Sequence, residues 1–253
     1  MSTARDLFLV ADWPAPPGVV AGTTLRAGGA SRGVYDSLNL GAHVGDRPAA
    51  VAANRRLLQD ALALPSEPRW LRQVHGVVVV DATGVQDSPP EADGSYTTAA
   101  GVVLAILTAD CLPVLLSSTD GRKIAAVHAG WRGLCDGVIE QAVAQLSAPA
   151  DSLQAWLGPA ISQQNFEVGG EVRDAFLAAD DGAGAHFVSN PRGRWQADLY
   201  GLARQRLAAA GVRAVYGEPR CTFDDEARFF SYRRDGQCGR MASLIYRRAV
   251  PRS

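Results

Sequence analysis

The chain has no excess of charge of either sign. Its 25 Lys and Arg stand against 26 Asp and Glu, a formal net charge of −1, so no global basic field points to nucleic acid as a partner. Long apolar runs are missing too. Leu7–Ala11 is too short for a signal-peptide core or a membrane span, and Arg5 and Asp6 before it carry one charge of each sign. A cytoplasmic protein without a membrane partner is the expectation. Histidine and cysteine number four each and methionine two. That is too few for a multicopper cluster, and no CxxC or HExxH motif occurs. Cys111, Cys135, Cys221 and Cys238 are expected as free thiols, because a chain of 253 residues with a real core has little need of a disulfide. No internal repeat, low-complexity tract or linker is visible. Residues 1–253 are therefore read as one domain.

What is present is an ordinary globular composition, 47% hydrophobic and 20% charged, arranged around two motifs. Thr108-Ala109-Asp110-Cys111-Leu112-Pro113 follows the apolar run Val102–Leu107 and precedes Val114–Leu116. His128-Ala129-Gly130-Trp131-Arg132-Gly133 follows Ile124–Val127. The runs read as buried strands, and Thr119-Asp120-Gly121 between them reads as a hairpin turn, which would bring Cys111 and His128 together. Thiolate and imidazole are ligands for a divalent transition metal, with zinc suited to a mixed nitrogen and sulfur set. They are equally the parts of a Cys/His nucleophilic site. His75, in Gln73-Val74-His75-Gly76 before the run Val77–Val80, is the best third donor. Three protein ligands with an open position describe a catalytic zinc. His43 is a rival ligand of lower rank.

Other elements follow from punctuation. Leu7–Val10 and Gly18–Thr24 read as strands. The glycine-rich loop Arg26–Gly33 lacks a Walker ending, and it reads either as a surface turn or as an anion cradle to which Arg26 adds charge. Asp46 is a candidate cap for a helix running from Pro48 to Leu64, with Val51, Leu57, Leu58 and Leu62 inward and Arg55, Arg56 and Asp60 in solvent. Arg69–Val80 reads as two short strands, and Asp87–Asp93 as a polar loop in which Asp93 and Gly94 make a turn and Asp93 is a candidate near the site. Helices are expected over Leu134–Leu146, Glu171–Leu177 and from Arg194-Trp195-Gln196-Ala197-Asp198-Leu199 onward, with Asp198 as a possible N-cap. Ala155–Leu157, Val212–Val215 and Met241–Tyr246 read as strands. Arg233 and Arg234 are either an anion-binding pair or a solvated turn. The fold class is α/β with α+β character, a single domain of mixed β-sheets flanked by helices.

The motifs named above, together with Ser37-Leu38-Asn39-Leu40-Gly41, His43-Val44-Gly45-Asp46, Asn54-Arg55, Gly158-Pro159-Ala160-Ile161, Phe166-Glu167-Val168-Gly169 and Phe230-Ser231-Tyr232-Arg233-Arg234-Asp235, resemble those of the YfiH/laccase-domain family. These are purine nucleoside phosphorylase-type proteins once called polyphenol oxidases, with relatives that resemble peptidoglycan-precursor editing factors and a deamidating-toxin-like outline. The resemblance spans nearly the whole chain. It implies a catalytic zinc on His75, Cys111 and His128, phosphorolysis of adenosine, inosine and methylthioadenosine to free base and (methylthio)ribose 1-phosphate, and adenosine deamination.

Purine nucleosides and phosphate are then the expected partners, in a monomer or small homo-oligomer. Asp110 is expected to orient a histidine or move a proton, although along a strand it would point away from Cys111. Arg26 is the candidate for an anionic group. The H-x-E…P-C-x-x-C deaminase pattern is absent. Alternatives are a cysteine or metal amidase with Cys111 as nucleophile and His128 as base, a copper-dependent phenol oxidase, and a binding module with a closed metal staple including His43. Ligand type alone does not separate zinc from copper.

Overall fold

The computed structural model describes residues 7–84 and 88–249. Arg5, Asp6 and the Asp87 end of the polar loop lie outside the described residues. In chain order the strands are β1 (Phe8–Val10), β2 (Val19–Thr24), β3 (Val79–Asp81), β4 (Gly94–Thr97), β5 (Val103–Thr108), β6 (Leu112–Ser118), β7 (Ile124–Ala129), β8 (Leu153–Leu157), β9 (Glu167–Val168), β10 (Phe187–Ser189), β11 (Trp195–Ala197), β12 (Ala214–Tyr216) and β13 (Met241–Arg247). The α-helices are α1 (Pro48–Ala61), α2 (Trp131–Asp136), α3 (Val138–Leu146), α4 (Gly170–Ala179), α5 (Leu199–Ala209) and α6 (Tyr232–Asp235). Among the described residues no helix is long and apolar enough to cross a membrane.

Two large sheets carry the fold. One is antiparallel throughout, in the order β1-β2-β13-β5. The other, β12-β8-β6-β7-β4-β3, is mixed, with parallel pairs β12–β8 and β3–β4. Side-chain alternation divides the interior into layers. On β5, Leu104 and Ile106 join Leu115 of β6, Ala126 of β7 and Ile245 of β13 between the sheets. Val103, Ala105 and Leu107 of the same strand pack with Leu58 of α1 on the outer face. Leu112, Val114 and Leu116 of β6 pack instead against Ile139 and Ala142 of α3 and Leu202 of α5. The result is helix, sheet, sheet, helix, with strands buried on both faces. This is why β5, β6 and β7 read as unbroken apolar runs. Each fully buried Leu or Ile contributes about 1.5–3 kcal/mol.

Several local expectations change. Arg47, not Asp46, occupies the cap position of α1 and Pro48 its first turn. The Asp46 carboxylate accepts instead from Ser31 Oγ, Asn39 Nδ2 and the Arg47 amide. Arg55 is not a solvent-facing residue. It donates to the Leu40 carbonyl and lies 3.9 Å over the Trp70 ring. The helix expected over Leu134–Leu146 is two, broken at Gly137, whose φ of +97° ends α2. The segment from Trp195 to Ala197 is a strand, because it pairs with β9 and β10, and α5 begins only at Leu199. Asp198 sits at the cap position without a side-chain capping bond.

The glycine-rich loop is bound into the body rather than open to an anion. The amides of Gly29, Ala30 and Ser31 donate to Ser37 Oγ, Asn54 Oδ1 and the Ser37 carbonyl. Asn54, fully buried on α1, also donates to Ser31 Oγ and to the carbonyls of Ser37 and Asn39. Replacing Asn54 by Leu strands several buried groups at about 1–3 kcal/mol each. A loss of about 3 kcal/mol or more in urea unfolding is the expected outcome.

Candidate metal centre

Strand register builds the site. Asp110, with φ +96°, is the bend at which the chain leaves β5 in one sheet and enters β6 in the other. Cys111 stands immediately before β6. The β6–β7 hairpin pairs Leu112 with Ala129 and Pro113 with His128, which sets Cys111 beside the end of β7. On β4, Gly94 pairs with Val127. One step further along the same register Asp93 lies opposite His128, and the His128 amide donates to the Asp93 carbonyl at 2.7 Å.

The structure brings His75, Cys111 and His128 together, with their ligand atoms all within 4.8 Å of one another. Cys111 Sγ lies 4.0 Å from His75 Nε2, and the two imidazole centroids are 4.8 Å apart. His128 and Asp93 are buried, 3% and 0% exposed, whereas His75 is open to solvent. Asp93 Oδ1 pairs with His128 Nδ1 at 2.7 Å and accepts the His75 amide, while Oδ2 accepts the amides of Val74 and Gly76. With Nδ1 engaged, His128 presents Nε2 to the cluster.

The donor set fits a metal. Bonds of about 2.3 Å to sulfur and 2.0–2.1 Å to nitrogen span sulfur–nitrogen separations up to about 4.4 Å. The carboxylate behind His128 is the partner that a metal-ligating imidazole usually has. Gly130 supplies the room. A Cβ there would lie 2.9 Å from His75 Cδ2 and 3.2 Å from Cys111 Sγ.

Electrostatics run in the same direction. Burial works against ionising Cys111, but the charge of His128 and hydrogen bonds from both histidines bring the thiol down to about 6. Burial also opposes charge on His128, and the thiolate with Asp93 holds the imidazole up to about 9. Burial pushes the Asp93 carboxyl up. Its bonds to His128 and to the main-chain amides outweigh that and leave it below its ordinary value.

The other candidates lie elsewhere. The Asp110 carboxylate bonds to none of the three: it accepts from Thr222 Oγ1 at 2.6 Å and from the Arg233 amide at 2.7 Å. The histidine-orienting place expected for Asp110 is held by Asp93. Arg26 donates to the carbonyls of Asp36 and Glu226 and lies 4.8 Å from the Phe230 ring centroid, outside the cavity lining. Arg234 is bound to Asp235 and to the carbonyls of Thr222, Phe223 and Phe229, and Arg233 to the Glu167 carbonyl. The cavity over the cluster, about 360 Å³, is lined by His43, Gln73, Thr108, Tyr232 and Arg240 besides His75, Cys111, His128 and two apolar residues. His43 reaches the cavity but not the ligand cluster. Arg240 went unassigned in the sequence, where it is only the residue before the last strand.

A mixed-sheet α/β protein carrying a His/Cys/His cup under a small-molecule cavity is the class that fold and site define. The family model described as multi-copper polyphenol oxidoreductase laccase matches residues 20–248, and the chain belongs to that family. Purine nucleoside phosphorylase YfiH of Escherichia coli is 51% identical over 239 residues, 94% of this chain and 98% of that protein. A purine nucleoside phosphorylase of Pseudomonas aeruginosa is 54% identical over 243 residues, 95% and 98% of the two chains. A solved Neisseria meningitidis protein aligns with a TM-score of 0.92 at 48% identity, covering 96% of this chain and 99% of its own. YlmD from Geobacillus stearothermophilus aligns at 0.89 and 34%, covering 98% of each chain.

Two outcomes test the geometry. Gly130→Ala should lower metal affinity at least about 10-fold, the scale of lesions beside ligands, while the chelator-treated protein melts as wild type does. Asp93→Asn should cost about 3–5 kcal/mol at pH 7, because it breaks a buried pair. Asp93 has a depressed pKa, so its contribution is present above the unfolded value near 4 and is lost as pH falls through the lower folded value. The stability gap between wild type and variant, measured by urea unfolding of metal-free protein, should therefore close below about pH 4.

Proposed function

We propose that the protein is a zinc-dependent purine nucleoside enzyme. It cleaves adenosine, inosine and methylthioadenosine with phosphate to the free base and the (methylthio)ribose 1-phosphate, and it also deaminates adenosine. The observation that carries the reading is His75. Cys111, His128 and Asp93 alone would make a nucleophile, a base and an orienting acid. A third donor beside the thiol, 4.0 Å from Cys111 Sγ, has no part in that triad, yet the Asp93 carboxylate fixes its backbone as well. A metal uses all three. The names of the relatives supply the substrate class.

When bound, the ion supplies a Lewis acid for a phosphate oxygen or a water. The chain does the rest. Asp93 sets the His128 tautomer, Gly130 leaves the open side, and Asp110 holds the Arg233 amide so that neighbouring Tyr232 stands at the cavity. The four histidines leave no second ligand set for a multicopper cluster, which argues against the phenol-oxidase reading.

A second reading, a cysteine amidase, rests on the Cys111–His128–Asp93 order. Metal analysis of wild type and Cys111→Ala separates the two. About one zinc per chain, lost in the variant together with phosphate-dependent release of base from inosine, is expected from a three-ligand site. Adenosine incubated without phosphate should yield inosine. A wild type that is active while free of metal, and is inactivated by alkylation, would overturn the metal reading.

A further inference from the structure

The cavity over the metal centre has no carboxylate in its lining, although 26 Asp and Glu occur in the chain. Its one arginine is Arg240. The side chain is half-buried, with its stem against Gly41, where a Cβ would meet Arg240 Cγ at 2.9 Å. Its amide is held by Asn39 Oδ1 at 2.9 Å. One guanidinium nitrogen, Nη1, donates to the carbonyls of Cys238 and Gly239 at 2.9 and 3.0 Å. Among the described residues no carboxylate pairs with it, and Nε and Nη2 make no bond to the protein. Arg55 and Arg234 differ: their Nε and Nη2 edges are both committed to the chain. A guanidinium anchored at one corner, with its fork free in a cavity without acids, is built for an oxyanion.

Two further donors share the lining. Burial, and then the charges of Arg240 and Arg55, hold the His43 imidazole below its usual range, so it is a neutral donor at pH 7. Thr108 is 2% exposed, and its Oγ1 has no hydrogen-bond partner among the described residues. A buried hydroxyl of that kind calls for a ligand.

We propose that Arg240, with His43 and Thr108, forms the seat of a tetrahedral oxyanion, inorganic phosphate before the reaction and the phosphoryl group of the sugar phosphate after it. As the phosphate site of a phosphorolysis this rests on the reading above. As an anion site it rests on the cavity alone. Arg240 takes the place that the sequence assigned to Arg26. The fork grips two phosphate oxygens, His43 and Thr108 donate to others, and the nucleoside occupies the remaining volume toward Tyr232.

The test uses the metal-loaded protein, with zinc content measured in every variant. Inorganic phosphate is titrated calorimetrically, and inosine phosphorolysis is followed at varied phosphate and at varied inosine. Arg240→Gln should raise the phosphate Kd and KM about 10- to 100-fold, as expected for lost charge-assisted bonds. The inosine KM should stay within about twofold, and Arg240→Lys, which restores charge without the fork, should recover part of the loss. Unchanged phosphate Kd and KM in an Arg240→Gln protein with wild-type zinc would overturn the seat. If that variant does not fold, His43→Gln decides, with a raised phosphate KM in support and an unchanged one against. If wild type binds phosphate through Arg240 but shows no phosphate-dependent turnover of nucleosides, the phosphorolysis reading falls and the seat stands.

Discussion

One buried carboxylate organises the site. Asp93 accepts four hydrogen bonds, from the amides of Val74, His75 and Gly76 and from His128 Nδ1. That matches the acceptor capacity of an ionised carboxylate and leaves no place for a proton. Three successive amides converge on one anion only if the backbone curls, and His75 takes φ +62° to do so. A non-glycine residue in that region costs on the order of 1 kcal/mol or more, which the charge-assisted bonds to Asp93 offset. The same group therefore fixes both histidines, one through its ring and one through its backbone. Neither histidine is placed independently of the other.

Asp93 reaches that position through strand pairing. The β4–β7 register sets it opposite His128, and the β6–β7 register sets Cys111 beside them. A slip of one residue in either ladder would turn the side chains to the opposite face. The two faces of β7 pack into different cores, which opposes the slip. His128 shares its face of β7 with Ile124 and Ala126, and Ala125, Val127 and Ala129 belong to the other core. Burial of both faces thus makes the placement of Cys111 and His128 a consequence of packing, while His75, on the loop before β3, is placed through the hydrogen bonds of its backbone to Asp93.

The legible parts of the sequence were those with short-range causes. The runs that became β5, β6 and β7 are bounded by turns and buried on both faces, so apolar length alone marks them. Hairpin geometry then joins Cys111 to His128. Asp93 reads in the sequence as a turn residue and a candidate near the site, but its role as the partner of His128 is not legible there, because that partner lies 35 positions away, outside any window. Arg26 drew attention through the glycines after it, yet Gly29 serves close packing: a Cβ there would meet the Ser37 carbonyl at 2.3 Å. Arg240 carries no local signal at all. Its exposure to the cavity depends on β13 lying between β2 and β5, a pairing of chain ends. Trp195–Ala197 has a helical pattern of composition and becomes a strand because β9 and β10 offer ladder partners.

The same atoms would serve a thiol nucleophile or a metal, since both need a deprotonated sulfur next to an oriented imidazole. They differ in what the surroundings must supply. A nucleophile needs one base and a free line of approach to sulfur. In this protein the space over Cys111 Sγ is shared by the edge of His75 and bounded by Gly130, so it is a converging pocket of donors. In the metal-free state the thiolate is compensated by the His128 imidazolium and a hydrogen bond from His75, and the imidazolium by the thiolate and the Asp93 carboxylate. His75, Cys111 and His128 would hold a divalent cation through one sulfur and two nitrogens, with the thiolate then paired to the cation instead of to the imidazolium. The charges of the site would be balanced most completely with a divalent cation present, and the cavity above it has no acid in its lining.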